Sequence, residues 1–346
     1  MQLLTAADVR AAIGTGDALR AVRAAFISLA AGQAISPPSF ELDIPDRAGE
    51  LHVKGGYLRG EEFFAVKLSS GFYGNAARGL PVTNGLSVVL SSETGEPVAL
   101  VADQGLLTEL RTAAAGALAA DLLAREQVRQ VTIIGAGGQA RYQLAALLDV
   151  RRPSAVAVVA RRREAAAAYA AEMSVAHGLP VRAAGDPETA VRDADIVVTA
   201  TTARSPVLPA SWVTPGTHVT AVGADMPGKN EIEPLLLARA GKLVVDSVPA
   251  AARSGELHHA LLAGAVTEDD VYAELAAVAA GHRPGRETDT EITVCDLTGL
   301  GVQDVAISAL LARRARELGL GTPLADHPQA VPGISGQSRP GGTQSA

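Results

Sequence analysis

Apolar and polar positions along the chain change period at two places. From Leu4 to Gly32 the pattern is helical: Thr5 can cap a first short helix, Gly14-Thr15-Gly16 interrupts, and Asp17 can cap a second helix that stops at Gly32. Extended segments follow at Phe40–Ile44, Leu51–Leu58, Phe63–Ser69 and Leu86–Ser91. Another, Pro97–Ala102, comes after a Glu93-Thr94-Gly95-Glu96 turn. Few helical signals separate them, so this region predicts a largely antiparallel sheet or an open barrel. An Ala-rich run from Thr108 to Arg125, capped at Thr108, predicts a long helix joining two domains.

Beyond Arg125 strand and helix alternate. The segments Val131–Ile134, Ala155–Ala160, Ile196–Thr199, His218–Val222 and Leu243–Val245 read as short buried strands. Gln139–Leu148 and Arg163–His177 read as helices. This rhythm predicts a parallel, doubly wound sheet over roughly Val128 to Asp296. Gln303–Leu318 predicts a further long helix able to fold back onto the first domain. Residues 326–346, rich in Pro, Gly, Ser and Gln, read as a disordered tail.

Composition narrows the partner classes. The 346 residues are 48% hydrophobic, 19% charged and 3% aromatic, with 30 basic against 37 acidic side chains. A net charge of −7 argues against nucleic acid or an anionic membrane as the main partner, and the few aromatics argue against base stacking. A single cysteine, Cys295, offers no internal disulfide and suits a reducing compartment. The seven histidines show no zinc-like spacing, so no metal is expected. The start of the chain lacks a signal-peptide pattern and no apolar run reaches spanning length, so a cytoplasmic location is expected.

The strongest local motif is Gly135-Ala136-Gly137-Gly138-Gln139-Ala140, between a β-branched run and a helix. Gly135 permits the tight turn, Gly137 lets backbone approach a pyrophosphate, and Ala140 keeps helix and strand close. The helix start offers N–H groups to phosphate. Its alternative is an ordinary tight connection, but the following βαβ rhythm favours a dinucleotide. The second strand ends in Ala160-Arg161-Arg162-Arg163 without the carboxylate that would hold an NAD ribose. Arginines there can grip a 2′-phosphate, so NADP(H) is favoured over NAD(H); a solvated helix start with either cofactor accepted is the other reading.

Asp225, in Gly223-Ala224-Asp225-Met226-Pro227-Gly228-Lys229, follows a strand and so faces the crevice where such sheets bind ligands; an Asx turn is the plainer alternative. Thr201 and Thr202, at another strand end, can offer hydroxyls or backbone donors to the nicotinamide half. Lys67 interrupts an otherwise apolar strand and Arg111 falls in the first turn of the Ala-rich helix, where the dipole disfavours it. Both fit a carboxylate-bearing substrate, or else an edge lysine and a structural ion pair. His52 and Lys54 share one strand face and suit either a second carboxylate or solvent.

Together these residues resemble the ornithine cyclodeaminase and μ-crystallin family, which includes archaeal-type alanine dehydrogenases and imine reductases. The resemblance runs from about Pro37 to Leu318. It is carried by Val66-Lys67, Gly79-Leu80-Pro81, Glu93-Thr94-Gly95, Leu110–Ala115, the glycine turn, Val222–Lys229 and Glu291–Asp304. It implies an α/β fold: a Rossmann domain (121–302) and an α+β substrate and dimerisation domain built from both chain ends (1–120 and 303–325), in a homodimer. It also implies that Lys67 and Arg111 bind the substrate carboxylate, with His52 and Lys54 nearby, and that Asp225 is the acid/base at the substrate nitrogen. The implied cofactor set is Thr112, Gly135, Ala136, Gly137, Gly138, Gln139, Arg161, Arg162, Thr201, Thr202, Val222, Gly223 and Thr298. Two departures stand out: Pro37-Pro38 is followed by Ser39 rather than arginine, and His52-Val53-Lys54-Gly55-Gly56-Tyr57 replaces the alanine dehydrogenase pattern. The substrate clamp is therefore rebuilt, most like the subgroup of ectoine-utilisation cyclodeaminase homologues and iminosuccinate reductase. The expected activity is NAD(P)H-dependent reduction of a small imino acid, or amino-acid dehydrogenation, with iminosuccinate or pyrroline-2-carboxylate as candidates. The alternatives are cyclodeamination with tightly held NAD and a μ-crystallin-like NADPH-binding role.

Overall fold

The computed structural model describes residues 1–324, so the tail expected over 326–346 lies outside the described residues. Two eight-stranded sheets organise the chain. The first runs, in spatial order, Thr322–Pro323, Gln2–Thr5, Pro97–Ala102, Thr83–Ser91, Phe63–Phe72, Gly49–Leu58 and Ala34–Ile35, with Phe40–Ile44 also paired to Gly49–Leu58. It is an open sheet, antiparallel except where Gln2–Thr5 lies parallel to Pro97–Ala102. Strand alternation puts Phe63, Ala65 and Lys67 on a buried face. Helices Thr15–Ala30 and Gly301–Leu318 cover that face, and Leu106–Leu123 packs behind them. The C-terminal helix therefore does return to the first part of the chain.

The second sheet is parallel throughout, ordered Val181–Ala183, Ala155–Val159, Gln130–Ile134, Ile196–Thr199, His218–Ala221, Thr293–Asp296, Lys242–Val245 and Ala273–Glu274. Its central strands are apolar along their whole length because helices bury both faces. The strand order reverses between Gln130–Ile134 and Ile196–Thr199, which opens a crevice at their carboxyl ends. A short parallel pair, Arg204–Leu208 with Asn230–Ile232, stands apart from the main sheet.

Three local expectations are corrected. Thr108 does not cap the Ala-rich helix, which spans Leu106–Leu123: the Asp103 carboxylate accepts from Gly105 N at 3.0 Å and Leu107 N at 2.6 Å, and starts the helix earlier. Arg111 consequently lies in the second turn, so the helix dipole does not account for it. Asp17 is the third residue of its helix, not the cap, and accepts from Gly14 N at 3.2 Å. The first strand, Gln2–Thr5, was hidden because its four residues carry no alternation beyond the helical pattern that follows.

Candidate active site

The glycine turn lies at the crevice. Gly135 has φ of +122° and a side chain there would collide with the Ala200 carbonyl, so both conformation and packing demand glycine. Gly137 is extended and faces open space at the start of helix Gly138–Leu147, whose first N–H groups are free for an anion. The carbonyls of Ala136 and Gly137 accept from the Arg141 guanidinium at 2.8 and 2.9 Å, and Arg141 is held in turn by Glu172 at 2.6 Å. Gln139 donates to Glu109 at 2.5 Å, which fixes the turn to the Leu106–Leu123 helix. Arg161 and Arg162 are exposed past the Ala155–Val159 strand, with no ion pair among the described residues.

Thr201 and Thr202, Val222 and Gly223, and Thr298 all follow strands of the parallel sheet at its carboxyl edge. Thr112 is partly buried beside Arg111, and its carbonyl accepts from Gln143 at 3.1 Å.

Opposite this edge, three charged groups meet inside the protein. Asp304, in the first turn of helix Gly301–Leu318, accepts from Lys67 Nζ at 2.8 Å and from Arg111 Nε at 3.1 Å through the same oxygen. Arg111 Nη1 also donates to Gln303 Oε1 at 3.1 Å. All are buried; Lys67 is 5% and Arg111 7% exposed. Burial, with Arg111 and Lys54 nearby, outweighs Asp304 and pushes the Lys67 ammonium down to about 7. Burial works to raise the Asp304 carboxyl, but Lys67 and Arg111 hold it below the usual range. Asp304 Oδ2 and Gln303 Nε2 are buried without a hydrogen-bond partner, so the cluster retains unused polar capacity.

Lys54 reaches the carbonyls of Thr298 and Gly299 at 3.3 and 2.9 Å. Gly299 has φ of +84° and its Cα side abuts the Arg111 guanidinium, leaving no room for a side chain. Lys54, Asp225, Thr298, Gly299 and Leu300 are among the residues that line a cavity of about 580 Å³ between the two sheets.

Asp225 stands in the cavity wall with 44% of its side chain exposed. Its Oδ1 accepts from Lys229 at 2.6 Å. Burial would raise this carboxyl, but Lys229, Lys54 and His52 hold it below its ordinary value, while Asp225 pushes Lys229 up against burial. Behind them Lys229 lies 4.0 Å from Glu50, which accepts from the Tyr73 hydroxyl at 2.8 Å. His52 belongs to this group, 3.7 Å from Glu50 and 4.0 Å from Glu41, and does not share the cavity wall with Lys54.

The structure thus brings Lys67 and Arg111 together in a buried cluster, and sets Lys54 and Asp225 in the wall of the adjoining cavity. Sequence reasoning missed Asp304 and Gln303 as the partners of Arg111, and Glu50, Tyr73 and Lys229 around Asp225. For Asp304 one signal was available: an acidic residue in the first turn of an otherwise apolar helix face.

The ornithine cyclodeaminase/mu-crystallin family model matches residues 1–318. The chain belongs to that family. Three solved structures are closely similar. The Δ1-pyrroline-2-carboxylate reductase of Thermococcus litoralis, in complex with NADH and L-proline, superposes with a TM-score of 0.90 at 32% identity, covering 94% of this chain and 100% of that one. An archaeal alanine dehydrogenase dimer with bound NAD gives 0.89 at 36% identity, covering 94% and 99%. The iminosuccinate reductase of Paracoccus denitrificans in complex with NAD+ gives 0.85 at 32% identity, covering 93% and 98%. Among the described residues no helix is long and apolar enough to cross a membrane.

Because one Asp304 oxygen neutralises two buried cations, Asp304→Asn is expected to lower unfolding stability by about 3–5 kcal/mol. Urea denaturation measures this, and a loss below about 1 kcal/mol would show that Lys67 and Arg111 do not depend on the pair.

Proposed function

We propose that the protein is a nicotinamide-nucleotide-dependent oxidoreductase acting at carbon–nitrogen bonds: an imine reductase or amino-acid dehydrogenase for a small imino or amino acid. The observation that carries this reading is a cavity walled by Lys54 and the Asp225 carboxylate, at the carboxyl edge of a parallel sheet bearing a glycine turn, with the buried Lys67–Arg111–Asp304 cluster adjoining that wall where Arg111 abuts Gly299. The division proposed is residues 1–120 with 303–325 for substrate and dimerisation, and 121–302 for the cofactor.

The cofactor fits the residues present. Gly135 and Gly137 bring backbone close without side chains, Ala136 lies in the turn between them, Gly138 and Gln139 open the helix, and Thr201, Thr202, Val222, Gly223 and Thr298 follow strands at the edge where the rest of a dinucleotide would extend, with Thr112 on the Leu106–Leu123 helix bonded to Gln143 of the turn's helix. Exposed Arg161 and Arg162, without a carboxylate beside them in the sequence, favour NADP(H) over NAD(H). When bound, the dinucleotide supplies or accepts the hydride at the substrate carbon.

Lys67 and Arg111 would hold the substrate carboxylate, Arg111 by its planar fork and Lys67 as a point charge. The Gln303 amide beside Arg111 has a further unpartnered N–H donor that an added carboxylate could use. With the carboxylate fixed, a C=N bond in the cavity would lie between the sheet edge and Asp225. The Asp225 carboxylate would pair with the protonated imine nitrogen and so keep the C=N carbon electrophilic. In the reverse direction the same carboxylate, which Lys229 keeps ionised, would pair with the substrate ammonium and relay its proton to solvent. Lys54 extends the cationic wall and supports a dicarboxylic substrate such as iminosuccinate, with pyrroline-2-carboxylate as the cyclic candidate.

The outer face of the first sheet supports a homodimer. Val66 pairs with Val88 and Leu68 with Leu86 on the side away from Lys67, and Phe40 and Leu42 on the neighbouring edge are 60% and 45% exposed. An apolar face this broad is characteristic of an interaction surface.

The test is a screen of imino acids with both reduced cofactors. Stoichiometric loss of NAD(P)H absorbance with iminosuccinate, pyrroline-2-carboxylate or pyruvate plus ammonia is expected, whereas ammonia release from ornithine without net absorbance change would establish cyclodeamination instead. Asp225→Asn should keep cofactor affinity while kcat falls about 10²–10⁴-fold; unchanged turnover removes Asp225 from the chemistry. Only protonated Lys67 can pair with a carboxylate, so kcat/KM should fall about tenfold per pH unit above about 7. Lys67→Arg should lose that limb, and a pH–rate profile with the limb intact would assign it to the imine. Arg161→Ala should weaken NADPH about tenfold and leave NADH within about twofold by calorimetry; equal effects would refute the phosphate clamp.

A further inference from the structure

Beyond the carboxyl edge of the parallel sheet the turns leave the strand ladder, and their N–H groups require other acceptors. Glu231 supplies two of these and one hydroxyl with an acceptor. Its Oε2 accepts from Thr199 Oγ1 at 2.7 Å and from Gly223 N at 2.8 Å, and its Oε1 accepts from Thr201 N at 2.6 Å. The residue has no solvent exposure. Thr199 ends the Ile196–Thr199 strand and Gly223 follows the adjacent His218–Ala221 strand, so one carboxylate joins two neighbouring strand ends.

The turns it joins are in close contact. A side chain on Gly223 would collide with both the Thr201 carbonyl and Glu231, and one on Gly135 would collide with the Ala200 carbonyl. The glycine turn, Ala200–Thr201 and Gly223 therefore form one row across the crevice, with Glu231 at its second junction. Glu231 is seated by Glu256, whose carboxylate accepts from Glu231 N at 2.8 Å and Ile232 N at 3.0 Å. The same short segment carries Lys229, the partner of Asp225. Three donors converging on one group require a carboxylate, because a glutamine would present its NH2 to at least one of them.

We propose that Glu231 is a positioning residue for the nicotinamide cofactor, fixing the Thr199–Thr201 and Gly223 turns at the spacing the dinucleotide needs. This rests on the reading of the site as nicotinamide-dependent. In the proposed reading the substrate carboxylate would be held by Lys67 of the first sheet and Arg111 of the Leu106–Leu123 helix, so Glu231 should act on cofactor affinity and not on substrate affinity.

The experiment measures NADH and NADPH dissociation constants by nucleotide fluorescence for wild type and Glu231→Gln, and the imino-acid KM at saturating cofactor. The expected result is about tenfold weaker cofactor binding with KM within about twofold. Cofactor affinity equal to wild type, or a parallel rise in both constants, would overturn the proposal. Thr199→Val removes one donor and leaves Glu231 in place; it should weaken the cofactor about threefold, and it decides the matter if Glu231→Gln does not fold, an unchanged constant being a refutation. If wild type binds neither nucleotide, the functional reading itself fails and this inference with it; if wild type binds and the variants bind equally well, only the role of Glu231 is lost.

Discussion

Two buried cations share one anion, and much of the arrangement follows from that constraint. Arg111 cannot be removed from water without a counter-charge, Lys67 keeps its proton there only against the pull of burial, and Asp304 is bonded to both. The three residues come from an antiparallel strand, the Ala-rich helix and the C-terminal helix, and Asp304 lies 237 positions along the chain from Lys67. Until the last helix docks, the first sheet carries an uncompensated charge on its inner face. The docking is close: Gly301, which opens that helix, lies against the backbone of Gly55, and Gly299 just before it lies against Arg111. Side-chain-free positions are concentrated where the electrostatics demand contact.

The parallel sheet handles the complementary problem, unpaired backbone donors at strand ends, with buried carboxylates. Glu231 serves the Thr201 and Gly223 turns. Asp246 accepts from Thr298 Oγ1 at 3.0 Å and Gly299 N at 2.6 Å, and Asp195 accepts from Arg129 N and Gln130 N at 2.6 and 3.0 Å. A carboxylate can take several donors at once with charge-assisted strength, which a hydroxyl cannot. Asp246 also connects the two systems, because the turn it holds presents the carbonyls that receive Lys54. Burial pushes the Asp246 and Glu231 carboxyls up, opposed by those same hydrogen bonds.

What the sequence could show divides along physical lines. Strand and helix periods are local, so Pro97–Ala102 and Arg163–His177 were legible to the residue, and the alternation after Arg125 predicted a parallel sheet. Glycine turns are also local, because the torsion that needs glycine is set within a few residues. Lys67 could be singled out because it violates its own strand's pattern. Its partner could not be identified in the same way, since an aspartate in the first turn of a helix already has a sufficient local explanation in the helix dipole.

The same ambiguity explains why Glu231 and Asp246 escaped notice while Asp225 did not. Asp225 is followed by Pro227 and Gly228, which mark a constrained turn. Glu231 and Asp246 lie in or directly after short strands where an acidic residue reads as a strand end meeting solvent. Their role appears only when the donors they satisfy are known, and those donors belong to turns up to 53 residues away. Arg111 illustrates the converse error: a local dipole argument singled out a residue that sits in the buried cluster, but for the wrong reason, since the helix begins two residues earlier than its apparent cap. In this fold the charges that interrupt a local pattern can be found from sequence, whereas the charges that complete a distant one require the three-dimensional arrangement.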